Sequence, residues 1–191
     1  MQLAHDHELL LHVDGARLAN AAASLGVPLR ALTTDAGVDA LSFGGTKNGL
    51  LAGEAIVLLR AGLDGPMPFL RKQSMQLASK MRFVAAQFDA LLDGDAWRRP
   101  AAHANAMAAR LAAAVDGLPR VRITQPVQAN AVFAILPSEV TGRLRERYFF
   151  YTWDESTGEV RWMCSWDTTA GDVDAFAAAV AEELGAPRAL R

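Results

Sequence analysis

The order of apolar runs along the chain predicts two different kinds of structure. LLLHV (9–13) is a continuous apolar run closed by Asp14-Gly15, the pattern of a strand buried on both faces of a parallel sheet. ARLANAAASLG (16–26) follows at once with helical spacing and is closed by Gly26 and Pro28. VDALSF (38–43) and EAIVLLR (54–60) read as two further short strands on either side of a glycine-rich turn. Strand, helix and strand in this order are the grammar of an α/β domain.

A Gly/Pro-rich break, AGLDGPMPF (61–69), ends this part. Residues 71–92 carry a helical pattern with Met75, Ala78, Met81 and Ala85 near one stripe. A second, alanine-rich helix is expected over about 101–115, stopping at Gly117-Leu118-Pro119. The pattern then alternates through VRIT, ANAVFAIL, YFFYTW, the turn DESTG and EVRWMCSW, and closes with a helix over about 170–184 capped by Thr168 or Thr169. This predicts a small α+β unit of antiparallel strands backed by helices. The expected division is a partial, large α/β domain over 1–95, then a linking helix and a small α+β domain over 96–191. Three short strands do not cover their own faces and edges, so the chain reads as though it starts inside a domain.

Composition narrows the picture further. The 191 residues are 51% hydrophobic and 21% charged, as in ordinary globular protein. A net charge of -2 gives no electrostatic attraction to nucleic acid or to an anionic membrane. No apolar segment reaches the roughly 18–20 residues needed to span a bilayer, and MQLAHDHELLLHVDG lacks the basic start and cleavage site of a secretion signal. The single cysteine, Cys164, forms no internal disulfide and reads as a small buried hydrophobe, which fits a cytoplasmic setting. Nothing in the pattern points to a metal.

Lys47 is the residue that raises a chemical question, because it stands in the turn GGTKNG between two apolar runs. A phosphate-binding P-loop is excluded: the glycines are too close together, and Asn48 follows the lysine in place of Ser or Thr. A lysine that binds a pyridoxal ring needs a carboxylate to hold the ring nitrogen protonated. Asp14 ends an apolar strand, where sheets of this kind place ligands, and reads equally well as the N-cap of the following helix. Glycines beside Lys47 are expected to let the backbone approach a bulky cofactor.

HVDGARLANA (12–21) followed by LSFGGTKNGLLAGEAIVL (41–58) resembles the low-specificity L-threonine aldolases, which are fold-type I pyridoxal-phosphate enzymes. RKQSMQLASKMRF (71–83) and EVRWMCSWDTT (159–169) extend the resemblance over nearly the whole chain. It implies the C-terminal part of a large domain, mainly a parallel sheet with helices, plus the small α+β domain. By this resemblance Lys47 holds pyridoxal 5'-phosphate covalently and Asp14 pairs with its ring nitrogen. Arg17 lies beside the phenolic oxygen and the substrate carboxylate, and Arg161 makes the main fork on that carboxylate. The alternative for Arg161 is an outward-facing residue paired with Glu159. Thr46 offers a hydroxyl to the cofactor phosphate, and Arg82, with Lys80 less directly, is expected to reach a phosphate across a dimer interface or to lie on a solvated helix face.

Family members are nearly twice as long, and the part missing here carries the phosphate loop and a histidine stacked on the ring. His5, His7 and His12 do not replace that histidine, and His103 reads as a surface residue. Trp153, Trp162, Trp166, Phe149 and Phe150 are expected in the core, and Arg143, Arg145 and Arg147 on one solvated face. The implied reaction is cleavage of threonine or allo-threonine to glycine and an aldehyde by a homodimer or homotetramer. A β-eliminating lyase, or a non-catalytic chain that associates with itself or a partner, stands as the alternative.

Overall fold

The computed structural model describes residues 2–185. The chain divides into two compact units between Ala101 and Ala102. The first contains α1 (Gln2–Asp6), β1 (His12–Gly15), α2 (Leu18–Leu25), β2 (Ala40–Gly44), β3 (Glu54–Leu58), α3 (Met67–Gln73) and α4 (Arg82–Leu92). β1 pairs parallel to β2 with Asp14 opposite Ser42, and β3 pairs antiparallel on the other side of β2. The antiparallel pairing follows from chain length. Only residues 45–53 join β2 to β3, too few for the crossover of a dozen or more residues that a parallel neighbour requires.

α2 forms from an alanine- and leucine-rich segment and stops at Gly26, which takes φ 67° while the Val27 N–H donates to the Ala22 carbonyl at 3.1 Å. Its Leu18, Ala19 and Ala22 are buried in one cluster with Leu41 and Phe43 of β2, Leu91 of α4, Trp97 and Ala101. Each large apolar side chain so buried contributes about 1.5–3 kcal/mol. The opposite face of the sheet carries His12, Asp14 and Glu54, all exposed, with Ile56 at 66% exposure. In this chain the sheet is therefore buried on one face, not on both as the apolar runs suggest.

Two further expectations for this unit fail for identifiable reasons. The first strand begins at His12, not Leu9, and Leu9 and Leu10 are 59% and 55% exposed. β2 offers partners only from Ala40 onward, so the earlier leucines have no strand to pair with. The helix expected over 71–92 is two helices separated by residues 74–81, where Met75 and Lys80 take positive φ. An apolar stripe without a surface to bury it does not sustain a helix, and Met75 is 89% exposed.

Asp39, just before β2, is buried and fastens three segments. It accepts from the Leu11 backbone N–H at 2.7 Å, contacts His5 Nε2 at 2.9 Å and accepts from Arg60 Nη1 at 3.3 Å.

α5 (Arg98–Val115) carries the chain into the second unit, followed by β4 (Arg122–Ile123), β5 (Ala131–Ile135), α6 (Ser138–Arg145), β6 (Tyr151–Asp154), β7 (Glu159–Met163) and α7 (Ala170–Gly185). The strands form an antiparallel sheet in the order β4-β5-β7-β6. Val132, Ala134, Val160 and Trp162 bury one sheet face in a core shared with Leu111, Leu144, Val173 and Val180 of the helices. α7 opens with reciprocal capping: the Thr169 hydroxyl accepts from the Asp172 N–H at 3.1 Å and Asp172 Oδ2 accepts from the Thr169 N–H at 2.8 Å.

α6 is not among the expected elements. Arg143, Arg145 and Arg147 lie on and just after this helix, and the intervening Leu144 is fully buried. Arg143 pairs with Glu183 and Arg147 with Glu182 of α7. The aromatic residues also divide differently from expectation. Phe150 and Trp162 are core, but Phe149, Trp153 and Trp166 are 86%, 53% and 42% exposed. Strand alternation explains part of this, since Trp162 faces the helices and Trp153 packs with Phe133 on the other sheet face, ring centroids 5.5 Å apart.

Candidate active site

Because β1 and β2 run parallel and in register, their carboxyl ends lie at the same edge of the first unit's sheet. Asp14 stands near the end of β1, and Lys47 lies in the one-turn 3-10 helix Thr46–Asn48 that follows β2. Asp14 is not the helix cap. The residue before α2 is Arg17, which caps with no side-chain bond, and Asp14 Oδ1 instead accepts the Ala16 N–H at 3.1 Å. Its Oδ2 has no hydrogen-bond partner among the described residues. Next to it His12 Nε2 lies 2.9 Å from the Ser42 hydroxyl, on the same exposed face.

Lys47 is exposed and has no hydrogen-bond or ion-pair partner among the described residues. The loop around it is held firmly. The Gly53 carbonyl accepts the backbone N–H groups of Gly45 and Thr46, both at 3.1 Å. The Thr46 hydroxyl accepts the Gly53 N–H at 2.9 Å and donates to the Gly53 carbonyl at 3.3 Å. Asn48 is buried and its Nδ2 donates to the Trp97 carbonyl at 3.1 Å, while its Oδ1 is buried without a partner among the described residues.

The two glycines before this turn are required by the packing of this chain itself. A Cβ on Gly44 would stand 2.7 Å from Ala16 Cα, and one on Gly45 would stand 2.8 Å from the Gly53 carbonyl oxygen. The space they leave is filled by the Ala16 backbone at Gly44 and by the Gly53 backbone with the Leu50 and Phe88 side chains at Gly45, which fixes where the Lys47 turn leaves the sheet.

Arg17 is half-buried at the start of α2. Arg82 begins α4, exposed, with its guanidinium carbon 4.9 Å from the Phe83 ring centroid. Arg161 belongs to the second unit, on the β7 face away from the helices, in register with Phe133 of β5 and Tyr151 of β6. Its guanidinium carbon lies 4.4 Å from the Trp153 ring centroid, and its Nε is buried without a partner among the described residues. The expected alternative, a pair with Glu159, is absent, because Glu159 accepts from the Thr124 hydroxyl instead. A guanidinium stacked on an indole, with no carboxylate partner among the described residues, is chemically suited to forked capture of a carboxylate.

The roles of Asn48, Trp97 and Trp153 escape a reading of the sequence. Only Trp153 leaves a trace: it lies two positions after Tyr151, and both face Arg161 across the hairpin. Among the described residues no three His, Cys, Asp or Glu side chains gather as for a metal ion, and no helix is long and apolar enough to cross a membrane.

A strand-ended aspartate and a turn-borne lysine on one sheet edge, followed by a small α+β unit, define a class of α/β enzyme architecture. Residues 1–138 match the family model described as beta-eliminating lyase, and the chain belongs to that family. It is 45% identical over 179 residues to a low specificity L-threonine aldolase of Pseudomonas sp. (strain NCIMB 10558), covering 93% of this chain and 51% of that protein. It is 46% identical over the same length to the corresponding protein of Pseudomonas aeruginosa, again covering 93% and 51%. The structure aligns with a threonine aldolase of Leishmania major at a TM-score of 0.81 and 29% identity, covering 94% of this chain and 53% of that one. The chain thus spans about half the length of the curated relatives it matches. Its fold is the mixed α/β fold of part of a fold-type I enzyme, and threonine aldolases and beta-eliminating lyases depend on pyridoxal phosphate.

Proposed function

We propose that this chain carries the lysine and aspartate of a pyridoxal-phosphate aldolase that cleaves threonine, allo-threonine and related β-hydroxy-α-amino acids to glycine and an aldehyde. The observation that supports this most is the parallel register of β1 and β2, which sets Asp14 and the Lys47 turn at one sheet edge. The residues present suit the cofactor: among the described residues the Lys47 amine has no partner, and one Asp14 carboxylate oxygen accepts no hydrogen bond. When bound, pyridoxal phosphate supplies an electron sink for carbon–carbon cleavage. Lys47 holds the cofactor, and Asp14 Oδ2 retains a proton at its ring nitrogen. Arg161, stacked on Trp153, takes the substrate carboxylate in a planar fork, and Arg17 supports it. Thr46 and Asn48 hold the turn still, and Arg82 is assigned to a cofactor phosphate.

The same reading makes the protein a cytoplasmic homo-oligomer. Phe69, Met75 and Phe83 are 78%, 89% and 60% exposed along residues 67–83, more apolar surface than one segment of a solitary chain ordinarily shows. The test is reduction with borohydride after pyridoxal phosphate is added, followed by peptide mass mapping. The cofactor is expected on the Lys47 peptide and absent in Lys47→Ala; label spread evenly over the surface lysines would refute the assignment. Product analysis with threonine and with serine separates aldol cleavage from β-elimination.

A further inference from the structure

We propose that Trp153 and Phe133 are positioning residues that lock the Arg161 guanidinium into an end-on carboxylate fork, complete in the second unit before any cofactor binds. The proposal rests on the carboxylate role assigned to Arg161 above and adds how that role is built. β7 lies between β5 and β6, with Phe133 and Tyr151 directly opposite Arg161 on either side. Trp153 belongs to β6, yet its ring meets Phe133 of β5 edge-on, with centroids 5.5 Å apart. Neighbouring strands lie about 4.8 Å apart, so this contact spans the middle strand and carries the indole across the Arg161 side chain.

A fault in the ladder aims the indole there. Thr152 faces Val160 and Asp154 faces Glu159, so Trp153 is the extra residue of β6, with no partner across the ladder. Bulges of this kind re-aim a side chain and are frequent beside functional sites. The guanidinium carbon lies 4.4 Å from the indole centroid, and Nε is buried with no acceptor among the described residues. A buried donor without a partner is costly. The fold tolerates it at this one atom and in return holds the guanidinium against the ring.

Nη1 and Nη2 have no partner among the described residues either, but unlike Nε they are not buried. A side-on approach through Nε is therefore closed, and the open end of the fork presents two terminal N–H groups to the two oxygens of one carboxylate. An unrestrained arginine gives up side-chain freedom when it binds. Here the stack has already removed that freedom, so a carboxylate binds more tightly than it would to the same arginine without the ring. The substrate carboxylate is the same before and during carbon–carbon cleavage. The stack should therefore act on KM and leave kcat unchanged.

The experiment titrates acetate into ¹⁵N-labelled full chain without cofactor and follows the Arg161 Nε–H resonance, assigned by its loss in Arg161→Lys. Acetate should shift it saturably, and neutral acetamide should not. Trp153→Leu should weaken acetate binding about 2- to 5-fold and speed exchange of the Nε proton with water. Phe133→Leu should change both in the same direction, whereas Trp153→Phe keeps a ring and should restore most of the affinity. In threonine cleavage, Trp153→Leu should raise KM by the same factor with kcat unchanged. Unaltered acetate affinity in Trp153→Leu, a resonance that acetate leaves unmoved, or a fall in kcat at constant KM overturns the proposal. Covalent labelling of Lys47 is read separately: its failure sinks the cofactor assignment and leaves this fork standing. Intact labelling with unaltered acetate affinity in Trp153→Leu removes the stack alone.

Discussion

The guanidinium of Arg161 rests 4.4 Å from the ring centroid of Trp153, and its buried Nε is left without a hydrogen-bond partner among the described residues. The two residues come from opposite strands of one hairpin, so the turn at residues 155–158 determines whether the pair forms at all.

Replacing Arg161 with lysine keeps the charge and removes the fork. On the proposed role of Arg161, kcat/KM for threonine should fall about 10- to 100-fold, because a charged hydrogen bond contributes roughly 1.5–3 kcal/mol. Trp153→Leu should cost less, about 0.5–1 kcal/mol from the lost stacking. Steady-state kinetics on both variants check the order; a loss in Arg161→Lys no larger than that in Trp153→Leu would count against a forked carboxylate at Arg161.

Asp14→Asn is nearly isosteric and keeps an oxygen for the Ala16 N–H, so the thermal midpoint should barely change. Affinity for pyridoxal phosphate should drop by about 10- to 100-fold, since a charged contact becomes a neutral one. Absorbance titration with the cofactor measures this directly, and unaltered affinity would remove Asp14 from the ring nitrogen.

Gly44→Ala forces a methyl group to within 2.7 Å of Ala16 Cα, where only backbone could move aside. The expected cost is about 1–3 kcal/mol, read by chemical denaturation. Gly65, where an added Cβ would meet no atom within 4 Å, is the control and should accept alanine without loss.

Asp39 gives the fold a defined acid limit. Its carboxyl is held at about 2, below the ordinary 3.8, first by the Leu11 N–H and then by His5 and Arg60. Since the folded value is the lower one, this stabilisation is complete above about pH 4 and is lost as pH falls toward 2. Denaturant unfolding between pH 2 and 5 should show that slope, and Asp39→Asn should flatten it.

What the sequence made legible depended on how far each signal reached. Gly26 ends α2 and Thr169 caps α7 where local chemistry demands it, and Lys47 stood out because a cation between apolar runs needs a reason. The break at residues 74–81 and the exposure of Leu9 and Leu10 were illegible, since each depends on whether a partner surface exists elsewhere. α6 was hidden because charged residues at alternate positions imitate a solvated strand, while its burial rests on Val140 and Leu144 at helical spacing. The Arg161–Trp153 stack needed the register of β6 on β7, including the irregularity between Thr152 and Asp154.

The tether from Asn48 to the Trp97 carbonyl has a consequence for how this turn is inherited. The amide reaches a backbone group at the threshold of α5, so the turn's placement is written in two segments 49 positions apart. A graft that moved GGTKNG into another scaffold without the helix start around Trp97 would strand a buried amide and let the lysine drift. Recombination between related genes is correspondingly constrained: a crossover between residues 48 and 97 yields a sound turn only when both parents seat that helix alike.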